Sequence, residues 1–253
     1  MSDEELVSVV IPAFDVADFV ADAISSVLAE AHRPLEIIVV DDGSHDDTAR
    51  IAESFGPPVT CIRQANAGPA AARNRGIAAA RGAYLCFLDA DDLFVPGRLT
   101  QQLDLLRRNP TVEIVLGGSE THRLVGPQRK PMVFEFESVG EPRDIQLGRG
   151  LYRRSVFDRI GLLDESLWHC EDWDWFTRAR ETDVQTLLHD EAVQIVRRHE
   201  TNITHDQEAA KRYRLIMLKR SIDRRRDSGG RVAPLGAYGT PVAPPKPEDE
   251  GRS

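Results

Sequence analysis

Three runs of apolar, largely β-branched residues, at 6–11 (LVSVVI), 35–40 (LEIIVV) and 84–88 (YLCFL), each stop at Pro or Asp, and helix-patterned stretches separate them. Strands that are apolar on both faces must be covered on both sides. When they alternate with helices over short connections, the result is a parallel sheet with helices on each face. The helical stretches are 18–31, where Phe19, Val20, Ala23, Ile24, Val27 and Leu28 form one broad apolar face, then 46–54 and 70–80. The expected fold class is therefore α/β, with a mostly parallel central sheet flanked by helices. Ligands of such sheets bind beyond the carboxyl ends of the strands. Those ends are Pro12-Ala13-Phe14-Asp15, Asp41-Asp42-Gly43-Ser44 and Asp89-Ala90-Asp91-Asp92, so carboxylates gather along one edge.

A chain of 253 residues is long enough for the core of one large α/β domain. Its net charge of −9 disfavours general binding to nucleic acid or to an anionic membrane, since both need cationic surface. No apolar run approaches the ~18 residues of a membrane span. The start, Met1-Ser2-Asp3-Glu4-Glu5, is acidic where a secretory leader is basic. A cytoplasmic protein is expected, with peripheral membrane contact only through a local surface. Cys61, Cys86 and Cys170 form no CxxC pair and are odd in number, which predicts reduced thiols, with Cys61 and Cys86 packed in strands.

Beyond residue 117 the pattern loosens. A short run at 132–136 predicts an extra strand, 154–160 and 171–181 read as helices, and 184–188 and 192–196 as two strands. Residues 209–226 form a helix with Leu215, Leu218 and Ile222 on one side and eight Lys or Arg elsewhere. The plainer reading is a solvated helix packed on the domain; the alternative is contact with a membrane surface or an anionic acceptor. After Asp227 the chain is rich in Gly and Pro and reads as a disordered tail.

Asp89 and Asp91 lie one residue apart at a strand end, so their side chains share a face while Ala90 points away. Two such carboxylates can grip Mg²⁺ or Mn²⁺, which keep positions open for phosphate oxygens; the other reading is a capped turn. A carboxylate at Asp42 can accept from a uracil imide or a ribose hydroxyl, or cap the helix near Asp46. Phe14, next to Pro12 and Ala13, can stack on a base or sit in the core. In Gly68-Pro69-Ala70-Ala71-Ala72-Arg73-Asn74-Arg75-Gly76 the small residues permit close approach to the sheet. Only one of Arg73 and Arg75 can face the cleft. Glu171 and Asp172 open a helix whose dipole favours them without any function. The chemical alternative is a general base, with Trp168 or Trp173 as a platform for a sugar ring. Arg197-Arg198-His199 ends the last strand, offering a metal ligand or a phosphate partner.

Taken in order, VSVVIPAF, VVDDGS, NAGPAAARNRG, FLDADD and EDWDW followed by RRH resemble glycosyltransferase family 2, over residues 6–116 and 148–204. The resemblance implies a GT-A fold in one domain spanning 1–226. Residues 6–116 would be the nucleotide-sugar half, 117–204 the acceptor-side half, and 209–226 the basic helix. It also implies a nucleotide-diphosphate sugar donor such as a UDP-sugar, a Mn²⁺ or Mg²⁺ cofactor, and transfer with inversion to a hydroxyl of a saccharide, lipid, peptide or small molecule. Position by position, Pro12, Phe14, Asp42 and Arg73 would hold the nucleotide, Asp89 ribose or metal, and Asp91 metal. Asp172 would be the base with Glu171 supporting it, and His199 would complete the metal or diphosphate site. The chain departs from the family pattern at Phe14-Asp15, at Asp183 and across 117–148. A nucleotide-sugar-binding protein without transfer, and a retaining transferase, are the alternatives. A nucleotidyltransferase would need a Gly-rich loop after the first strand, and 12–18 contains no Gly.

Overall fold

A computed structural model describes residues 5–124, 134–135, 146–198 and 207–227 of the chain. Strand β1 (Val7–Ala13), helix α1 (Val20–Leu28), β2 (Leu35–Asp41), α2 (Thr48–Glu53), β3 (Val59–Arg63), α3 (Pro69–Ala79) and β4 (Tyr84–Phe87) alternate along the first third. After them come β5 (Leu93–Phe94), α4 (Arg98–Arg108), β6 (Ile114–Leu124), β7 (Phe134–Glu135), β8 (Gly150–Arg153), α5 (Ser155–Ile160), α6 (Glu171–Glu181), β9 (Thr186–Arg198) and α7 (Gln207–Asp227). The strands make one sheet in the order β3-β2-β1-β4-β8-β6-β9-β5, with β7 paired to β6.

The four strands β3, β2, β1 and β4 are mutually parallel; Val9 stands opposite Ile37 on one side and Cys86 on the other. Period-two alternation sends Val7, Val9, Ile11 and Ala13 to one face, where they pack with Val20, Ile24 and Val27 of α1 and Leu99 and Leu103 of α4. The opposite face carries Val10, Ile38, Val40, Leu85 and Phe87 against α3, α5 and α6. Gly76 of α3 is required by this packing: a Cβ there would lie 2.2 Å from Val10 Cγ1.

Several elements lie outside the periodic runs. Strand β3 is an edge strand with a half-exposed pattern, so it lacks a continuous apolar run. In α4 the buried face includes Arg98 and Gln102 among its leucines, which breaks the apolar stripe. Its first turn is capped from α1's end, where Glu30 accepts from Gly97 N and Leu99 N, both at 2.8 Å. The stretches 184–188 and 192–196 are one strand, β9, whose pairing with β6 shifts register at Leu116–Ser119. Of the run expected at 132–136, Phe134–Glu135 form β7 and the rest lies outside the described residues. The tail after Asp227 and His199 lie outside the described residues. No helix among the described residues is long and apolar enough to cross a membrane.

Candidate active site

The loops after β1 and β2 are laced together. Asp15, at φ 50°, accepts from His45 N at 2.6 Å, which holds its carboxyl below the ordinary range. Asp15 N in turn donates to Ser44 Oγ, and Val16 N to Thr48 Oγ1. Phe14 stays 38% exposed, its ring meeting the His45 ring edge-on. Asp42 is buried and accepts three hydrogen bonds, from Gln64 Nε2 (2.8 Å), Ala67 N (2.9 Å) and Gly68 N (2.8 Å). A carboxylate has about four acceptor positions, so this one fixes the entry to α3 and keeps roughly one for anything else.

Helix α3 starts at Pro69, behind Gly68 with φ 91°. Its position places Arg73 inward and leaves Arg75 exposed. Arg73 Nη2 donates to Asp89 Oδ1 and Nη1 to Glu171 Oε1, both at 2.7 Å. Burial alone would lower this guanidinium, but Asp89 and Glu171 outweigh it and raise its pKa. Arg73 Nε is buried with no hydrogen-bond partner among the described residues. One turn face further, Asn74 donates to Leu163 O and accepts from Leu163 N. Asn74 was absent from the expected site; an amide just after Arg73 in a helix of alanines was its only signal.

Two residues past β4 the chain enters a turn closed by Asp92 N donating to Asp89 O at 2.9 Å, and in it Asp89 and Asp91 are half-buried while Ala90 is buried, so a turn rather than strand alternation sets their directions. Asp92 turns inward: Oδ2 accepts from Gln194 Nε2 at 2.5 Å and Oδ1 from Arg197 N at 2.9 Å. Burial, followed by the charges of Asp91 and Asp89, pushes its pKa well up. Arg197 is fully buried and its guanidinium reaches the Asp91 carbonyl, the Asp22 carboxylate at 3.1 Å and the Phe19 carbonyl at 3.3 Å. It therefore braces the acidic turn against α1, while Arg198 is the exposed member of the pair.

The acids opening α6 have separate fates. Glu171 is buried against Arg73, and Asp174 pairs with Arg178 at 2.8 Å and Arg224 at 3.4 Å. Asp172 has no ion pair among the described residues; its Oδ1 accepts from Trp173 N at 2.7 Å. Burial, then the Glu171 charge, raises its pKa from 3.8 to about 7. Trp168 is 50% exposed, with its ring over Gly68, and Trp173 is 41% exposed. Among the described residues no three His, Cys, Asp or Glu side chains are arranged as a metal cage. Asp89 and Asp91 still fit a hard cation that keeps water and phosphate ligands, because both are oxygen donors with partly open surface.

The family profile of glycosyl transferase family 2 matches residues 8–161. The chain belongs to that family. It is 34% identical over 217 residues to the uncharacterized glycosyltransferase EpsJ of Bacillus subtilis, covering 79% of this chain and 63% of that one. The succinoglycan biosynthesis protein ExoU of Rhizobium meliloti is 34% identical over 193 residues, 68% of this chain and 56% of ExoU. An uncharacterized glycosyltransferase of Rickettsia typhi is 33% identical over 191 residues, 71% of this chain and 60% of that one. This chain thus spans about three fifths of the length of these family members. Among solved structures, S. aureus TarS 1–349 in complex with UDP-GlcNAc matches with a TM-score of 0.64 at 18% identity, over 83% of this chain and 65% of that one. The mannosyltransferase PcManGT of Pyrobaculum calidifontis, in complex with GDP-Man and Mn²⁺, matches with a TM-score of 0.62 at 17% identity, over 90% and 66%. The family 2 member described here accordingly has the GT-A α/β fold.

Proposed function

We propose that this chain moves a sugar from a UDP-sugar or related donor to an acceptor hydroxyl, with inversion and with Mn²⁺ or Mg²⁺ bound. The observation that carries the reading is the Arg73 bridge. It draws Asp89, from the end of the parallel sheet, and Glu171, from the start of α6, to one guanidinium at 2.7 Å each, with Asp172 next in sequence. The donor-side and acceptor-side acids thus belong to one cluster. Support from relatives is that TarS 1–349 and PcManGT were solved with nucleotide sugars.

In this reading Phe14 stacks on the base from its exposed position. Asp42 acts on the nucleotide chiefly by holding the loop at 64–68 in place. Asp89 and Asp91, with His199, would hold the cation, which when bound offsets the charge of the departing diphosphate. Asp172 takes the proton of the acceptor hydroxyl as that oxygen bonds to the anomeric carbon and the carbon–diphosphate bond breaks on the opposite face. A carboxylate with a pKa near neutrality is suited to that transfer. Glu171 pairs with Arg73 at 2.7 Å, and its charge beside Asp172 helps keep that carboxylate basic. Trp168 and Trp173 offer apolar faces for a sugar ring. Residues 6–116 supply donor binding and 117–204 the acceptor side, within one domain of 1–226.

The test is a thermal-shift screen of nucleotide sugars with and without Mn²⁺, then turnover of any hit by the wild type and by Asp172→Asn. The expected outcome is metal-dependent stabilisation by one donor and a loss of turnover of about 10²–10⁴-fold in Asp172→Asn, with donor binding retained. Full turnover in Asp172→Asn would remove it as the base. Tight donor binding without turnover on any acceptor would favour a binding protein, and retained anomeric configuration a retaining transferase.

A further inference from the structure

Helix α7 sits on the domain in a way its sequence does not suggest. Its inward contacts are one methionine and several polar groups: Met217 and Ser221 are buried, Ser221 Oγ donates to Glu181 at 2.7 Å, Arg224 Nε to Glu181 at 2.6 Å, and Arg220 pairs with Asp164. The apolar stripe faces out. Leu215 is 69% exposed, Leu218 49% and Ile222 45%. At about 100° per residue these three fall within about 60° of arc, and Lys219 and Arg226 flank them within about 40°. Arg212, Arg214, Lys219 and Arg226 are all exposed.

Charge identifies what such a face suits. From 212 to 227 the helix carries seven Lys or Arg against two Asp, a net +5, on a chain whose total is −9. A protein surface of neutral charge offers no complement to the flanking cations. An anionic bilayer does, since acyl chains accept the aliphatic stripe and headgroups the flanking cations. We propose that α7 docks this protein on an anionic membrane surface through Leu215, Leu218 and Ile222, with Lys219 and Arg226 beside them. The N-terminal end of α7 borders the proposed acceptor side: Arg214, beside the stripe, lies 5.9 Å from the Trp173 ring, and Tyr213, on the inward side, is 5.6 Å from His169. An acceptor hydroxyl carried on a lipid would be presented next to Asp172, whereas a soluble nucleotide sugar would enter from the sheet edge.

Vesicle co-sedimentation tests docking without reference to transfer, so a failure of the transferase reading leaves it standing. The full chain is mixed with vesicles of phosphatidylcholine alone or mixed with phosphatidylglycerol. It is expected to pellet only with the anionic vesicles and to be released by salt. Leu215→Ser/Leu218→Ser/Ile222→Ser should abolish pelleting while leaving the thermal midpoint unchanged, because all three side chains are exposed. Lys219→Gln/Arg226→Gln should weaken partitioning by about fivefold for each charge removed. Wild type that stays in the supernatant, or a triple variant that still pellets, overturns the proposal. So does a concentration-dependent dimer that the triple substitution dissociates while vesicles bind neither form, since the stripe would then be covered by a second copy.

Discussion

The two ends of this sheet are built on different principles. The parallel set β3-β2-β1-β4 is held by a continuous ladder and by aliphatic side chains that fill both faces. In the part that follows, strands meet in mixed directions, and arginine side chains donate to backbone carbonyls across elements. Arg98 Nη2 donates to Gly150 O at 3.0 Å, Arg149 Nε to Gly117 O at 2.6 Å, Arg153 Nε to Val112 O at 3.0 Å, and Arg178 Nη1 to Ile160 O at 2.9 Å. The first region is specified by hydrophobic pattern, and the second adds charged side chains as scaffolding to an aromatic core of Tyr152, Phe157, Trp175 and Phe176. The site lies where the two meet, and Arg73 joins them.

The largest effect is therefore expected at that joint. Arg73 and Glu171 are about nine-tenths buried, whereas the Asp89 side chain is 45% exposed. Arg73→Ala leaves Glu171 as an uncompensated buried charge, which costs about 3–5 kcal/mol, while Asp89, nearer water, adds little. Arg73→Lys should recover only part, since an ammonium cannot reach two carboxylates with the geometry of a guanidinium. Urea unfolding of both variants and of Glu171→Gln measures this. An Arg73→Ala protein as stable as wild type would mean that the two regions are not coupled there.

Gly76→Ala probes the close packing of the first region. Alanine in a helix interior is favoured over glycine by roughly 1 kcal/mol, yet its methyl carbon would stand 2.2 Å from Val10 Cγ1. Overpacking should win, with a net loss of about 1–3 kcal/mol, seen as a lower urea midpoint at unchanged slope. A gain in stability would show that α3 can withdraw from β1.

The same contrast explains what could be read from the residues alone. Strands β1, β2 and β4, helices α1 to α3 and the strand-end acids follow from apolar periodicity, because burial there is the work of Val, Ile, Leu and Phe. Asp42, Asp89, Arg73 and Glu171 could be picked out as site candidates, yet their partners could not: nothing in the spacing says that Arg73 pairs with two carboxylates 16 and 98 positions away. Helix α4 escaped notice because buried Arg98 and Gln102 look like surface residues in a sequence. Leu215, Leu218 and Ile222 could be read as one side of a helix, yet not as its exposed side, since an apolar stripe at helical spacing usually marks the inner face.

The raised pKa of Asp172 gives a graded handle on the acceptor side. Below about 7 the carboxyl is protonated and cannot accept, so kcat/KM should climb about tenfold per pH unit and level off near neutrality. The stability contribution has the opposite sense. Between 3.8 and about 7 the folded protein keeps a proton that the unfolded chain has released, so the contribution present at low pH is lost as pH rises through that window. Asp172→Asn should flatten that slope in thermal unfolding. An unchanged slope would place the titration elsewhere.

The smallest effects should separate the regions most cleanly, because each has an ion pair of similar length. Arg63 and Glu53, at 2.8 Å, are 57% and 48% exposed on the edge of the parallel set, so solvent screens the pair and long side chains lose freedom in making it. Arg63→Met is expected to leave the thermal midpoint unchanged within error. Arg224 and Glu181, at 2.6 Å between α7 and α6, are 33% and 11% exposed, and Arg224 also reaches Asp174. Arg224→Met should lower the midpoint by about 2–4 °C, the shift of roughly 1 kcal/mol in a chain of this size. Equal midpoints for the two variants would mean that α7 is held by Met217, Ser221 and the Arg220–Asp164 pair without help from Arg224.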